Sequence, residues 1–329
     1  MSILFVRGDA RRLPLADRSI DLVFGSPPYE DARSYGIGFA LRGQAWVDWM
    51  VGCVMEGLRV CRGLVAFVAG HGRTKNYRWS AVTSLLEADL HRAGVCLRNP
   101  PAFFRYGLPG SAGPDWLRAD HERIICATDG GRLPWSDNTA CGHPPKYGPG
   151  GAMSNRLTDG TRRNQWGGSA TSGTNRRTHG GRQKPGRPSH RMTMTRERDG
   201  VHAQTTPYTP PVLANPGNVI RCVVGGNQMG DAAAHDNEAP FPLPLAEFFI
   251  RSFCPPGGVV VDPFSGSGTV AHAAHVHGRR AIAIDIRHDQ CVIGGARLAA
   301  VASAQTRKRA SAQASSTSEE PCPRQQRQQ

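Results

Sequence analysis

Ser26-Pro27-Pro28-Tyr29 closes the apolar run Asp21-Leu22-Val23-Phe24-Gly25 with a rigid turn. Prolines fix φ and carry no N–H, so the carbonyls of Ser26 and Pro27 can be aimed without donors of their own competing. The Ser26 hydroxyl is a further acceptor, and the Tyr29 ring offers a surface on which a base removed from its duplex can stack. Such acceptors suit an exocyclic base amine, whose lone pair is delocalised into its ring until its two hydrogens are held out of plane. A structural Pro-Pro turn with a packing tyrosine is the plain alternative.

The second chemical segment is Asp262-Pro263-Phe264-Ser265-Gly266-Ser267-Gly268-Thr269, directly after Val259-Val260-Val261. Glycines at a strand-to-helix turn let the backbone approach a ligand, and the following helix N-terminus offers free N–H groups. Asp285, seventeen residues after Gly268, ends the next predicted strand. A carboxylate there can accept hydrogen bonds from both hydroxyls of a ribose. No lysine follows the glycines, which excludes a Walker A loop. Gly266, Gly268 and Ala271 also fit the dinucleotide pattern G-x-G-x-x-A, so a hydride carrier stays open. Asp262 favours a methyl donor, since a carboxylate beside the loop can receive the cationic aminoacyl end of S-adenosylmethionine.

The elements that must position these segments show in the patterning. Ile20–Phe24, Leu64–Ala69 and Ile124–Ala127 are short apolar runs bounded by Gly and Pro, predicted as buried strands. Trp46 to Val60 and Trp79 to Leu90 have helical spacing, with Trp46, Trp49 and Met50 expected as core contacts. Val259–Val261 predicts a strand, followed by a helix to His277, a strand over Ala281–Ile284 and a last helix to Ala302. Alternating strands and helices imply a doubly wound α/β sheet. Residues 129–218 lack apolar periodicity and carry Arg162-Arg163, Arg176-Arg177, Arg182, Lys184, Arg187 and Arg191 among Gly, Asn, Thr, Ser and Pro. They are expected to be loop or disorder, as is the tail 303–329.

Together the segments resemble the circularly permuted group of DNA amino-methyltransferases, in which the catalytic motif precedes the cofactor motif. Ser26–Tyr29 matches the catalytic motif and Asp262–Thr269 the cofactor motif. Gly8-Asp9, Leu13-Pro14 and Ser19-Ile20-Asp21 match the opening stretch, whose aspartate approaches the cofactor adenine in that family. His235 to Pro242, including Phe241, resembles the segment that packs around the methionine end, and Gly278-Arg279-Arg280 also fits. The resemblance covers 1–128 and 215–302. It implies a Rossmann-like seven-stranded methyltransferase sheet, made of a catalytic half (1–128) and a cofactor half (219–302). The basic Gly/Arg-rich insertion 129–218 would stand where the group carries target recognition.

The implied cofactor is S-adenosyl-L-methionine, held by Asp9, His235, Phe241, Asp262, Phe264, Ser265, Gly266, Gly268, Thr269 and Asp285, with Ser26, Pro27, Pro28 and Tyr29 as catalytic residues. The implied substrate is double-stranded DNA. Family members with Asp or Asn at the position of Ser26 act mostly on adenine N6, so serine favours cytosine N4. A restriction endonuclease counterpart is the partner protein the resemblance admits. The rival classes are an NAD-dependent oxidoreductase and a non-catalytic nucleic-acid-binding protein.

The rest of the chain agrees with this expectation. A formal net charge of +14 favours a polyanionic partner. No apolar run reaches the roughly 20 residues of a spanning helix, and nine scattered cysteines without a C-x-x-C pair suggest a reducing, cytoplasmic setting. The sole Pro-Cys pair, Pro321-Cys322, stands in the tail, which argues against cysteine-mediated C5 chemistry. His272, His275 and His277 lack a second ligand group at metal spacing, so no metal site is expected.

Overall fold

The structure is a computed structural model that describes residues 2–30, 35–70, 74–75, 78–106, 115, 117–145, 192–193, 206–207, 212–223 and 242–316. Nine strands form one sheet: β1 (Ile3–Arg7), β2 (Ile20–Gly25), β3 (Cys61–Val68), β4 (Cys96–Leu97), β5 (Ala102–Tyr106), β6 (His121–Thr128), β7 (Val219–Val223), β8 (Val259–Asp262) and β9 (Arg280–Asp285). The helices are α1 (Gln44–Val60), α2 (Val82–Arg92), α3 (Leu243–Phe253), α4 (Thr269–Val276) and α5 (His288–Ser316).

The strand order is β1-β9-β8-β2-β3-β6-β5-β7, with β4 also pairing β6. From β1 to β3 all pairs are parallel, and β6 then runs antiparallel to β3, β5 and β4. The sheet thus has nine strands where seven were expected. Side chains alternate across it as a doubly covered sheet requires. On β3, Leu64, Ala66 and Val68 join one apolar cluster with α3 and α4, while Val65 and Phe67 join another with α1 and α2.

The direction in which successive parallel strands are added reverses at the middle of this sheet. From β8 the chain crosses through α4 to β9 on one side; from β2 it crosses through α1 to β3 on the other. Between β8 and β2 lies a topological switch point, where a crevice opens beyond the carboxyl ends of the strands. Asp21 pins the two strands at their other end: one carboxylate oxygen accepts the Val259 N–H at 2.9 Å, the other the Arg62 guanidinium at 2.6 Å.

The described chain divides into two compact units, Met1–Cys141 with Pro216–Gln329, and Gly142–Asn215. Residues 129–141, expected inside the insertion, therefore belong with the sheet: the Asp137 N–H donates to the Ser252 carbonyl at 2.9 Å, and Arg251 bonds the Ala140 carbonyl. In the second unit Met192–Thr193 pairs antiparallel with Thr206–Pro207. The last helix runs past Ala302 to Ser316. Its extension carries Ala, Gln, Arg and Lys, which are good helix formers. Among the described residues no helix is long and apolar enough to cross a membrane.

Candidate active site

The glycine loop leaves β8 at Asp262, which is only 2% exposed. One carboxylate oxygen accepts the Phe264 N–H at 2.9 Å, whereas the other, like the Ser265 hydroxyl, is buried with no hydrogen-bond partner among the described residues. Burial, reinforced by the nearby Asp285 charge, pushes the Asp262 carboxyl up to about 8. Gly266 and Gly268 both take positive φ, +47° and +80°, and Gly268 caps α4 without a side-chain partner for the first turn of N–H groups. A side chain at Gly268 would also come within 3.0 Å of the Phe5 ring.

Asp285 stands at the end of β9, opposite this loop. Its two oxygens accept the Gly266 N–H at 2.8 Å and the Arg287 N–H at 2.9 Å, and burial raises its carboxyl from the ordinary value. On its other side β1 brings in Gly8, whose N–H donates to the Asp285 carbonyl at 2.9 Å, and so Asp9. Arg11 pairs with Asp9 at 2.7 Å and holds that carboxyl low.

The Ser26–Tyr29 turn leaves β2, the strand beside β8. Gly25 packs so closely that a Cβ there would lie 2.4 Å from the Asp262 Oδ1. The Trp46 indole donates to the Pro28 carbonyl at 2.9 Å, and the Tyr29 N–H donates to the Tyr35 hydroxyl at 3.1 Å. Glu30 ties the turn to the helices, accepting the Gly43 N–H before α1 at 2.6 Å and the Ser80 hydroxyl before α2. Tyr29 itself is half-buried: its ring lies against Gly70 and its hydroxyl donates to Glu122 at 2.7 Å.

A cavity of about 280 Å³ opens between these segments. Of the residues expected at the site, Asp9, Pro28, Phe264, Gly266 and Asp285 line it. Asp262, Ser265, Gly268, Ser26, Pro27 and Tyr29 do not line it; they are chain neighbours of lining residues on the glycine loop and the Ser26 turn. Thr269 turns away, its buried hydroxyl accepting the Arg297 guanidinium at 3.1 Å. His235 and Phe241 lie outside the described residues, as do the basic residues 162–191. Trp46 and Met50 are fully buried as expected, but Trp49 is a wall of the cavity.

Sequence reasoning missed the apolar side of the cavity, built by Ile37, Phe39, Leu41, Trp49 and Ile286. Phe39 packs edge-on to Trp49 at 5.2 Å, and Trp49 meets Phe264 at 5.7 Å. The wall suits a flat heteroaromatic ring, and Asp285 beside it suits ribose hydroxyls. The unsatisfied Asp262 oxygen fits a cationic group. The residues present therefore fit S-adenosylmethionine.

Known proteins resemble this chain in sequence and in fold. The type II methyltransferase M.ScaI of Streptomyces caespitosus is 35% identical over 94 residues, which span 28% of this chain and 31% of that protein. The chain thus covers about a third of the length of this curated relative. The solved PvuII DNA methyltransferase (cytosine-N4-specific) superposes with a TM-score of 0.57 at 17% identity, covering 90% of this chain and 86% of that one. A Thermus thermophilus protein, complexed with S-adenosyl-L-methionine, superposes with a TM-score of 0.51 at 20% identity, over 92% of this chain and 94% of that one. At such identities the likeness shows the α/β fold. The match that reaches the sequence as a whole is the DNA methylase model of the N6 and N4 methyltransferases, which spans residues 20–294 and includes both the Ser26 turn and the glycine loop; the chain belongs to that family.

Proposed function

We propose that this chain transfers a methyl group from S-adenosylmethionine to an exocyclic amine of a base extruded from duplex DNA, and that the base is cytosine, methylated at N4. One observation carries the reading. The Ser26–Tyr29 turn and the glycine loop, far apart in sequence, leave the carboxyl ends of neighbouring strands and share one cavity through Pro28 and Gly266.

When bound, the cofactor supplies an electrophilic methyl on a sulfonium. Asp285 accepts the ribose hydroxyls, the apolar wall around Trp49 takes the adenine, and Asp262 receives the ammonium. At the turn, the Ser26 hydroxyl and the carbonyls of Ser26 and Pro27 accept the hydrogens of the target amine and hold them out of the ring plane. Acceptors that matter only as the nitrogen becomes pyramidal raise the rate rather than the affinity. The preference for cytosine rests on Ser26: a short neutral hydroxyl approaches an amine on the smaller ring without burying a second carboxylate beside a cationic sulfonium. The +14 charge supports a DNA partner through phosphate contacts.

The test is methylation of unmethylated duplex DNA by the purified protein with S-adenosylmethionine, followed by digestion to nucleosides and mass spectrometry. N4-methylcytosine is the expected product, and Ser26→Ala should lower the rate at least a hundredfold while cofactor affinity stays within twofold. N6-methyladenine alone would overturn the choice of base, and unmethylated DNA would overturn the activity.

A further inference from the structure

Glu122 is a carboxylate the mechanism above leaves unused. It is the second residue of β6 and 6% exposed. Its Oε2 accepts the Tyr29 hydroxyl at 2.7 Å, and its Oε1 faces the Arg105 guanidinium from β5 at 3.2 Å. Burial pushes the Glu122 carboxyl up, while Arg105, the Tyr29 hydrogen bond and His121 pull it back. Burial and the Glu122 charge push the Tyr29 phenol well above its usual range, so Tyr29 keeps its hydrogen.

Hydrogen-bond direction follows from the inventory of hydrogens. An ionised carboxylate has none to give, so the single Tyr29 hydrogen must point at Glu122. The Tyr29 oxygen then has only lone pairs left, and these face the Ser26 hydroxyl 3.4 Å away, which donates to them. At 3.4 Å that contact is long for a hydroxyl pair and correspondingly weak. With its one hydrogen committed to Tyr29, the Ser26 oxygen has only lone pairs left to offer a substrate. An exocyclic amine arrives there as a donor.

We propose that Glu122 is a positioning residue that, acting through Tyr29, makes Ser26 an obligate acceptor for the amine of the target base. The inference rests on the proposed catalytic role of the Ser26 turn. Arg105 serves the same end by opposing the burial that raises the Glu122 carboxyl. Were Glu122 replaced by a side chain that donates, the chain of hydroxyls would reverse and the Ser26 hydrogen would meet the amine hydrogens head-on.

The experiment compares single-turnover methyl transfer to a pool of random-sequence duplexes in the full-length wild type, Ser26→Ala, Tyr29→Phe, Glu122→Gln and the Tyr29→Phe/Glu122→Gln pair. Affinities for S-adenosylmethionine and for the duplex pool, and thermal midpoints, are measured alongside. Tyr29→Phe and Glu122→Gln should each slow transfer at least tenfold with both affinities within twofold, and the double variant should be no slower than the slower single. Losses that multiply in the double variant, or that follow a fall in cofactor affinity, would overturn the inference in favour of independent packing roles. Tyr29→Phe removes one oxygen and leaves Glu122 in place, so wild-type turnover there overturns it even if Glu122→Gln fails to fold. Wild-type turnover by Ser26→Ala instead overturns the reading of the turn itself. A slow Ser26→Ala beside fast Tyr29→Phe and Glu122→Gln overturns only the role of Glu122.

Discussion

Replacing Asp262 by asparagine should flatten the pH dependence of stability, by an amount that follows from the surroundings of the carboxyl. One oxygen has a single N–H partner at 2.9 Å, the other has none, and Asp285 adds a like charge, so the folded protein raises this group from 3.8 to about 8. Between those values the folded chain holds a proton that the unfolded chain has released. The relative stability this gives is complete below about pH 4 and is lost as pH rises to about 8. The slope is about 1.4 kcal/mol per pH unit, so the wild type should lose about 2 kcal/mol from this group between pH 6 and 7.5. Asparagine has the same shape and no charge; its amide, placed where the unpartnered oxygen sits, costs about 1–3 kcal/mol at every pH. Urea unfolding without cofactor at pH 5.5, 6.5, 7.5 and 8.5 should show the wild type losing stability relative to Asp262→Asn by about 1.4 kcal/mol per pH unit, levelling off near pH 8. Parallel curves would refute the argument. A second arm tests the ligand: an ammonium beside Asp262 favours the ionised form, so wild-type affinity for S-adenosylmethionine should rise from pH 6 to 8 while that of Asp262→Asn stays flat.

Two further substitutions probe the same crevice. Gly25→Ala puts a methyl 2.4 Å from the Asp262 Oδ1, where neither strand can yield, and should cost about 1–3 kcal/mol in urea unfolding; an unchanged midpoint would mean that β2 and β8 part easily. Trp49→Ala removes a cavity wall, and losing ring contact and buried area should weaken S-adenosylmethionine about tenfold by calorimetry, whereas unaltered affinity would remove the wall from the cofactor site.

Strands that carry the chemistry were legible because each is a continuous apolar run ending at glycine or proline, as β2 and β8 do. The far side was not: Ala102–Tyr106 and Val219–Val223 are short, mixed segments that pair in parallel with each other across a long stretch of sequence. Likewise Leu243–Phe253 is a helix whose apolar face shows only once the β2 surface it covers is known. Trp46 and Trp49 share one apolar stripe on α1, yet one is sealed against the Pro28 carbonyl and the other faces the cavity. Periodicity tells which side of a helix turns inward, and a ligand cavity is also inward. Glu122, an acidic residue at the mouth of an apolar strand, reads as a solvated end; only the fold brings Tyr29 to it.

The adjacency of β2 and β8 also has a consequence for synthesis. Ribosomes deliver the Ser26 turn more than two hundred residues before its neighbour in the sheet emerges. Until then the central edge of β2 has no partner, and closing so long a loop is entropically costly and slow. A nascent chain therefore exposes an apolar strand edge while those residues are made, an invitation to misassembly. The same delay means that no chain ending before β8 contains both walls of the cavity, so whatever this protein does to its substrate begins only after β8 has left the ribosome.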